Sequence, residues 1–113
     1  MNISISNKAY NNMQNITKFT AKISTNYSNR VMLDIYDTID SIKDTPYIGR
    51  YVPELSDKHY RERICGNYRI IYFISEKHNT IFIRYINSGK QNSYLFFEVH
   101  KKELFEFFNQ LSN

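Results

Sequence analysis

The stretch Pro46–Tyr72, PYIGRYVPELSDKHYRERICGNYRIIY, decides the fold predicted for this chain. Near its end, the pair Gly66-Asn67 is typical of a two-residue hairpin turn, which predicts antiparallel strands at about His59–Cys65 and Tyr68–Ser75. The second strand is apolar at its centre on both sides, as in a sheet that helices largely cover. The stretch therefore predicts the middle of a covered antiparallel sheet.

Upstream, the sequence predicts a short strand and two helices. Asn2–Ser6 alternates in polarity as a strand does, and apolar residues then recur every three or four positions from Lys8 to Ile23. A second stripe with the same spacing runs from Tyr27 to about Lys43 and ends before Pro46, because the residue before a proline avoids the helical region. The short connection between the two stripes predicts an antiparallel helical hairpin.

Downstream, residues 46–57 are predicted to form a loop, and Thr80–Asn87 a third strand after a four-residue turn at Glu76–Asn79. Residues 92–113 predict a helix with the apolar stripe Leu104, Phe107, Phe108 and Leu111, although Tyr94–Val99 could be extended instead. The expected order is β-α-α-β-β-β-α, an α+β fold with an N-terminal strand and helical hairpin packed on an antiparallel sheet. We expect one domain over 1–113, made of the strand and hairpin (1–45), the sheet core (46–91) and the C-terminal helix (92–113).

The charge of the chain is uneven along its length. The net charge is +4, and residues 46–91 hold eight Lys or Arg against four Asp or Glu. This surplus fits an anionic partner, but a solvated basic face would give the same composition.

Several functional classes lack support in the sequence. Cys65 is the only cysteine, so no internal disulfide is expected, and the three histidines have no metal-ligand spacing. The glycines are isolated and form no phosphate-binding loop, so neither a metal nor another cofactor is expected. The N-terminus has no signal-peptide pattern and no apolar run could span a bilayer, so the chain is expected to be cytoplasmic without membrane contact.

Four arginines on the predicted strands are the main candidates for chemistry. Arg61 and Arg63 are two apart and face the same way on a strand, Arg69 follows the turn, and Arg84 lies on the next strand. Arginines presented together bind phosphate groups in a multidentate manner, which predicts RNA, DNA or an acidic protein as the partner. One alternative stays open, in which Arg69 pairs with Glu62 across the hairpin.

Metal-free cleavage of RNA is one reaction that such a surface could perform. It requires a base for the 2′-hydroxyl, cations for the charge on the phosphorane, and an acid for the 5′-oxygen. The candidate catalytic residues are Arg61, Arg63, Arg69, Lys90 and Tyr94. The candidates for holding RNA or its phosphates are Arg50, Arg84 and Tyr85.

The motif PYIGRYVPEL, followed by RERICGNYRIIY, resembles the signature of the RelE/ParE superfamily of bacterial type II toxin–antitoxin toxins. The resemblance covers about residues 1–90. It implies the fold described above and a cognate antitoxin that wraps and silences the toxin. RelE-type members cleave mRNA in the ribosomal A site, whereas ParE-type members poison DNA gyrase.

Residue by residue, the resemblance fits neither subgroup completely. Arg61 and Arg63 fall where RelE-type nucleases carry basic residues, and Arg69 matches the arginine of the family's YR motif. Ser88-Gly89-Lys90 resembles the GK that closes the last strand in RelE-type members, but Gln91 follows where those nucleases have arginine. The terminal tyrosine of the RelE-type nucleases corresponds to a position near Tyr94 or Phe97 in this sequence. Some ParE-type members carry a histidine at the position of Asn87.

The resemblance therefore predicts a toxin that forms a hetero-oligomer with its antitoxin. As the working mechanism we predict ribosome-dependent mRNA cleavage, with the ribosome and mRNA as partners. Inhibition of DNA gyrase without catalysis is the alternative, and a catalytically degenerate interaction module is a further one.

Overall fold

The computed structural model describes residues 1–55, 57–89 and 93–112, and it has the predicted α+β fold. The helices are α1 (Asn7–Ala21), α2 (Thr25–Asp44) and α3 (Ser93–Ser112), and a single 3₁₀ turn spans Pro46–Ile48. The strands are β1 (Asn2–Ile5), β2 (Arg50–Tyr51), β3 (Tyr60–Cys65), β4 (Tyr68–Ser75) and β5 (Thr80–Ser88).

The helical hairpin of α1 and α2 forms where the sequence predicts it, and serines begin both helices. The Ser6 hydroxyl accepts a hydrogen bond from the Ala9 amide at 3.0 Å, and the Ser24 hydroxyl accepts one from the Tyr27 amide at 2.9 Å. Each bond satisfies an amide that has no partner inside its own helix, and the Ser24 cap starts α2 directly after α1 ends. The short connection therefore folds the two helices back on each other.

The sheet has the strand order β1-β5-β4-β3-β2. It is antiparallel from β2 to β5, and β1 joins its other edge in parallel with β5, in the register Asn2↔Thr80 to Ile5↔Ile83. The segment predicted as a loop also contains β2, which pairs with Glu62 and Arg61 of β3. A two-residue strand has too few positions for alternation to be visible in a sequence.

A register shift between β4 and β5 redirects two side chains. Ile71 pairs with Tyr85 but Tyr72 pairs with Ile83, so Arg84 is an extra residue without a partner position on β4. In this β-bulge, Arg84 and Tyr85 both contact α3 although they are consecutive. The bulge therefore places two candidate site residues on the same face of the sheet.

The two faces of the sheet have separate hydrophobic cores. The α1/α2 face buries one, which includes Met13, Ile35, Ile39, Tyr72 and Ile83. On the opposite face, Leu104 of α3 is buried, and the rest of its predicted stripe, Phe107, Phe108 and Leu111, packs against the second core. The structure is thus three layers, with the sheet between the helical hairpin and α3. In the part of the chain that is described, no helix is long and apolar enough to cross a membrane.

Candidate functional site

The arginines expected to share one site lie on opposite faces of the sheet. β3 and β4 pair Ile64 with Arg69, so Arg69 lies on the face of Ile64 and Glu62, while Arg61 and Arg63 lie on the other. The contacts agree, because Arg63 bonds to α2 and Arg69 lies beside Phe97 of α3. The prediction that Arg61, Arg63 and Arg69 share one site is therefore wrong. The two-residue turn is the reason, because it fixes the register that separates them.

Arg69 belongs to a buried ion cluster around Glu62. Its Nε donates to Glu62 Oε2 at 2.7 Å, its Nη2 donates to the same oxygen, and Nη2 also reaches Glu54 Oε2 at 3.3 Å. Arg50 Nε donates to the second oxygen, Glu62 Oε1. We call these four residues the Glu62 cluster. The pairing of Arg69 with Glu62 across the hairpin, left open by the sequence, is confirmed.

Burial makes each buried charge in the Glu62 cluster dependent on its partners. The Glu62 side chain is fully buried and that of Arg69 is 9% exposed, whereas that of Arg50 is 63% exposed. A buried charge is tolerated only when opposite charges and hydrogen bonds compensate for its lost hydration. The Nε and Nη2 groups of Arg69 form one of its two bidentate edges, and Glu62 occupies that edge.

Arg61 lies at the β2 side of the sheet, between two tyrosine rings. Its guanidinium carbon is 4.4 Å from the ring centroid of Tyr51 and 5.3 Å from that of Tyr47. Its Nη1 donates to the carbonyl oxygens of Gly49 at 2.9 Å and Tyr47 at 3.1 Å. These neutral partners fix the orientation of Arg61 without cancelling its charge.

Arg63 lies against the C-terminal end of α2. Its Nη1 donates to Ser41 Oγ at 2.9 Å, and its Nη2 donates to the Thr45 carbonyl at 3.1 Å. A cation is favoured there because the carbonyls of the last helical turn have no partner within the helix. These contacts with the end of α2 explain the position of Arg63 without any role in chemistry.

Arg84 and Tyr85 face α3. The guanidinium carbon of Arg84 lies 3.8 Å from the ring centroid of Phe107, and its Nη2 is 3.7 Å from Glu103 Oε1. Tyr85 is buried and packs edge-on against Phe96, with ring centroids 5.1 Å apart. Roles for these two residues in holding RNA stay predictions, and both would require α3 to move.

The tyrosine hydroxyls near these arginines give up their protons less readily than a free tyrosine, so they do not supply a phenolate base. Burial raises the pKa of Tyr60, Tyr72 and Tyr85, in Tyr85 together with the neighbouring Glu103 carboxylate. A hydrogen bond to Glu76 raises the pKa of Tyr47. These hydroxyls therefore stay protonated around neutral pH.

The remaining predicted site residues, Lys90 and Tyr94, fall in or next to a stretch that the structure does not describe. Lys90, together with Gln91, is outside the described residues, and so is the side chain of Tyr94. Phe97 is buried, and its ring centroid lies 5.5 Å from the guanidinium carbon of Arg69. Within 1–55, 57–89 and 93–112, no group of three or more His, Cys, Asp or Glu could hold a metal ion.

The sequence did not single out Glu54, or the polar side chains Lys58, His59 and Lys77 near Arg61. Glu54 belongs to the PEL motif, but nothing in its spacing indicates that it contacts Arg69. Of the other three, Lys58 and His59 are consecutive, but Lys77 follows β4, and these two segments meet only when the sheet forms. No sequence pattern could have grouped them.

The comparisons with known proteins agree with this architecture. The family model for the ParE toxin of the type II toxin–antitoxin system parDE matches residues 3–93. The chromosomal ParDE toxin–antitoxin system of P. aeruginosa has a similar structure, with a TM-score of 0.64 at 14% identity over 78% of this chain and 95% of that one. The toxin–antitoxin complex RelBE2 of Mycobacterium tuberculosis gives a TM-score of 0.52 at 16% identity over 77% and 95%. No curated protein sequence matches the chain significantly.

Proposed function

The chain belongs to the ParE toxin family of type II toxin–antitoxin systems, and on this premise we propose that it stops growth by binding and poisoning DNA gyrase. Its action is stoichiometric and involves no cleavage of RNA. The toxin works in the cytoplasm, and a cognate antitoxin holds it inactive in a hetero-oligomer. The two similar structures are both toxin–antitoxin systems, which supports that partner.

The observation that carries the proposal is the buried position of Arg69. In the nuclease mechanism predicted from the sequence, Arg69 is one of the three arginines that bind the scissile phosphate. Here both oxygens of the buried Glu62 carboxylate accept hydrogen bonds from arginines, and Arg69 uses its Nε and Nη2 for that purpose. A phosphate bound at this edge of Arg69 would have to displace a buried carboxylate, which would leave Glu62 without its main counter-ion. Arg69 therefore serves the fold, and catalysis by phosphate binding at this position is disfavoured.

The second supporting observation is the separation of the other cations from Arg69. Arg61 and Arg63 lie on the α1/α2 face of the sheet, each held by neutral groups of the protein. Stabilisation of a phosphorane requires donors that converge on one phosphate within hydrogen-bond distance. Cations spread over two faces suit electrostatic attraction to an acidic protein or to DNA, which tolerates a wider spacing.

Ribosome-dependent mRNA cleavage, the mechanism predicted from the sequence, is the second candidate. The observation that favours it is the half-buried pair Arg61 and Arg63, whose partners are neutral groups, so their charge stays available to an RNA backbone. In such a mechanism Lys90 and Tyr94, whose side chains the structure does not describe, would have to provide the proton transfers. The phenols of Tyr60, Tyr72 and Tyr85 are unsuited to that task because their pKa values are raised.

Induction of the chain in a bacterium without its antitoxin distinguishes the two candidates. We expect growth to stop, the DNA-damage response to rise, and mRNA 5′ ends within translated codons to stay unchanged over the first minutes. A strain that produces Arg61→Ala/Arg63→Ala serves as the comparison, because those cations are needed for RNA cleavage in the second candidate. New 5′ ends inside codons, lost in that variant, would replace our proposal with mRNA cleavage. Unimpaired growth with folded toxin present would identify an inactive interaction module.

A further inference from the structure

A cavity of about 380 Å³ opens where β3 begins and β4 ends. It reaches both faces of the sheet, because its lining includes Arg61 from the α1/α2 side and Phe73 and Phe108 from the α3 side. Its size falls within the range of small-molecule sites in proteins. The cavity lies away from the Glu62 cluster, which is not among its lining residues.

The cavity is lined by more cations than anions. Lys58, Arg61 and Lys77 contribute positive charges, and Glu76 is the single carboxylate among the described residues of the lining. The Glu76 carboxylate accepts a hydrogen bond from the Tyr47 hydroxyl, so one of its oxygens is already occupied. The charge balance therefore favours an anionic ligand.

Arg61 is prepared for an anion before any ligand arrives. Two backbone carbonyls and the flanking tyrosines hold its guanidinium in place, and in the described part of the chain it forms no salt bridge with a carboxylate. Its Nε is buried and has no hydrogen-bond partner among the described residues. A cation held in one orientation loses little conformational freedom when it binds an anion.

The walls of the cavity are aromatic. His59 stacks on Phe73, with ring centroids 5.5 Å apart and an interplanar angle of 15°, and it also contacts Phe108 at 5.0 Å. Asp57 Oδ1 lies 2.8 Å from His59 Nδ1 and fixes the imidazole ring. Tyr51, half exposed, lines the same cavity. Flat π surfaces of this kind bind nucleobases by stacking, with little preference for the base.

We propose that this cavity binds a mononucleotide, with the phosphate near Lys58, Arg61 and Lys77 and the base against the aromatic walls. The proposal goes beyond gyrase inhibition and does not depend on it. It rests on the combination of fixed cations and aromatic walls in one cavity of suitable size. Cations alone would bind any phosphate, and aromatic walls alone would bind any flat apolar ring.

The test is a titration of the full chain with AMP, ribose 5-phosphate and inorganic phosphate, followed by amide chemical shifts in ¹H–¹⁵N spectra. We expect AMP to shift the amides of residues 47–51, 57–61 and 73–77 and to bind more tightly than the two probes that lack a base. The variant Lys58→Gln/Lys77→Gln should weaken AMP binding by about tenfold or more, since hydrogen bonds to charged groups are lost. Phe108→Leu should weaken AMP binding while leaving inorganic phosphate unaffected, because it removes part of the aromatic wall and keeps Tyr47 and Tyr51 around Arg61.

The control Lys18→Gln/Lys22→Gln removes two exposed charges from the end of α1, so its net charge equals that of Lys58→Gln/Lys77→Gln. It should bind AMP as the unchanged chain does. The proposal is overturned if millimolar AMP leaves these amides unshifted, or if the two double variants lose affinity equally. Binding of inorganic phosphate as tight as that of AMP would also overturn it, because the base would then contribute nothing.

Discussion

Replacing Glu62 with glutamine is expected to lower the free energy of unfolding by about 3 kcal/mol or more, because it leaves the buried Arg69 charge without its main counter-ion. Small domains have a total stability of about 5–15 kcal/mol, so the loss would be a large fraction of the whole. Urea denaturation of both proteins measures it. The control Glu106→Gln removes an exposed carboxylate that lies 3.9 Å from Lys102, and it should change stability by less than about 0.5 kcal/mol.

A double variant separates the charge effect from the loss of packing. If the cost of Glu62→Gln comes from an uncompensated cation, the apolar pair Glu62→Leu/Arg69→Met should be more stable than Glu62→Gln, as replacements of buried ion pairs often are. Equal stability of the double variant and Glu62→Gln would contradict this explanation. So would a Glu62→Gln protein within about 0.5 kcal/mol of the unchanged chain.

Truncation of Leu104 to alanine is expected to cost about 2–5 kcal/mol, because its side chain is 1% exposed and anchors α3 to the sheet. The melting temperature should fall by on the order of 10–20 °C for a chain of this size. Calorimetry measures the change. The control Val99→Ala, on the same helix and 67% exposed, should leave the melting temperature within a few degrees.

The position of Leu104 also connects α3 to the strands below it. The Tyr60 hydroxyl donates a hydrogen bond to the Leu104 carbonyl oxygen at 2.8 Å, which ties the middle of α3 to β3. Because α3 covers Arg84 and Tyr85, loosening it should expose them to protease or solvent exchange. A Leu104→Ala protein as stable as Val99→Ala would show that α3 contributes little to the fold.

Most of the fold could be predicted because its elements are long and regularly patterned. The α1 and α2 stripes, with Met13 and Ile35 among their buried positions, predict both helices, and Gly66-Asn67 predicts the turn between β3 and β4. Gly66 adopts a φ of 56°, the left-handed conformation that glycine tolerates without strain. The short β2 and the parallel pairing of β1 with β5 could not be predicted, because long-range contacts determine them.

The site was less predictable, because its geometry depends on strand register. Arg61, Arg63 and Arg69 are close in sequence, but one residue of register decides which face each occupies. The sequence could suggest the pair Arg69–Glu62, since both lie on the same hairpin. It could not suggest Glu54 as a further partner, or Tyr47 and Tyr51 around Arg61, because the loop geometry and the β2–β3 pairing bring them there.

The buried arginine also bears on how this fold can support different functions. The same strand that could present a cation to a phosphate here directs Arg69 inward, where Glu62 binds it. An arginine of the family motif can therefore be retained for stability after, or without, any catalytic use. In this chain Arg69 lies on the face of the sheet that also carries the core under α3.

The measurement that tests the central claim most directly is the supercoiling activity of purified bacterial DNA gyrase in the presence of the purified toxin. We predict that the toxin inhibits supercoiling and stabilises cleaved DNA–gyrase complexes at near-stoichiometric amounts, and that it leaves mRNA on translating ribosomes intact. Full supercoiling in the presence of excess folded toxin, together with cuts in ribosome-bound mRNA, would contradict the account.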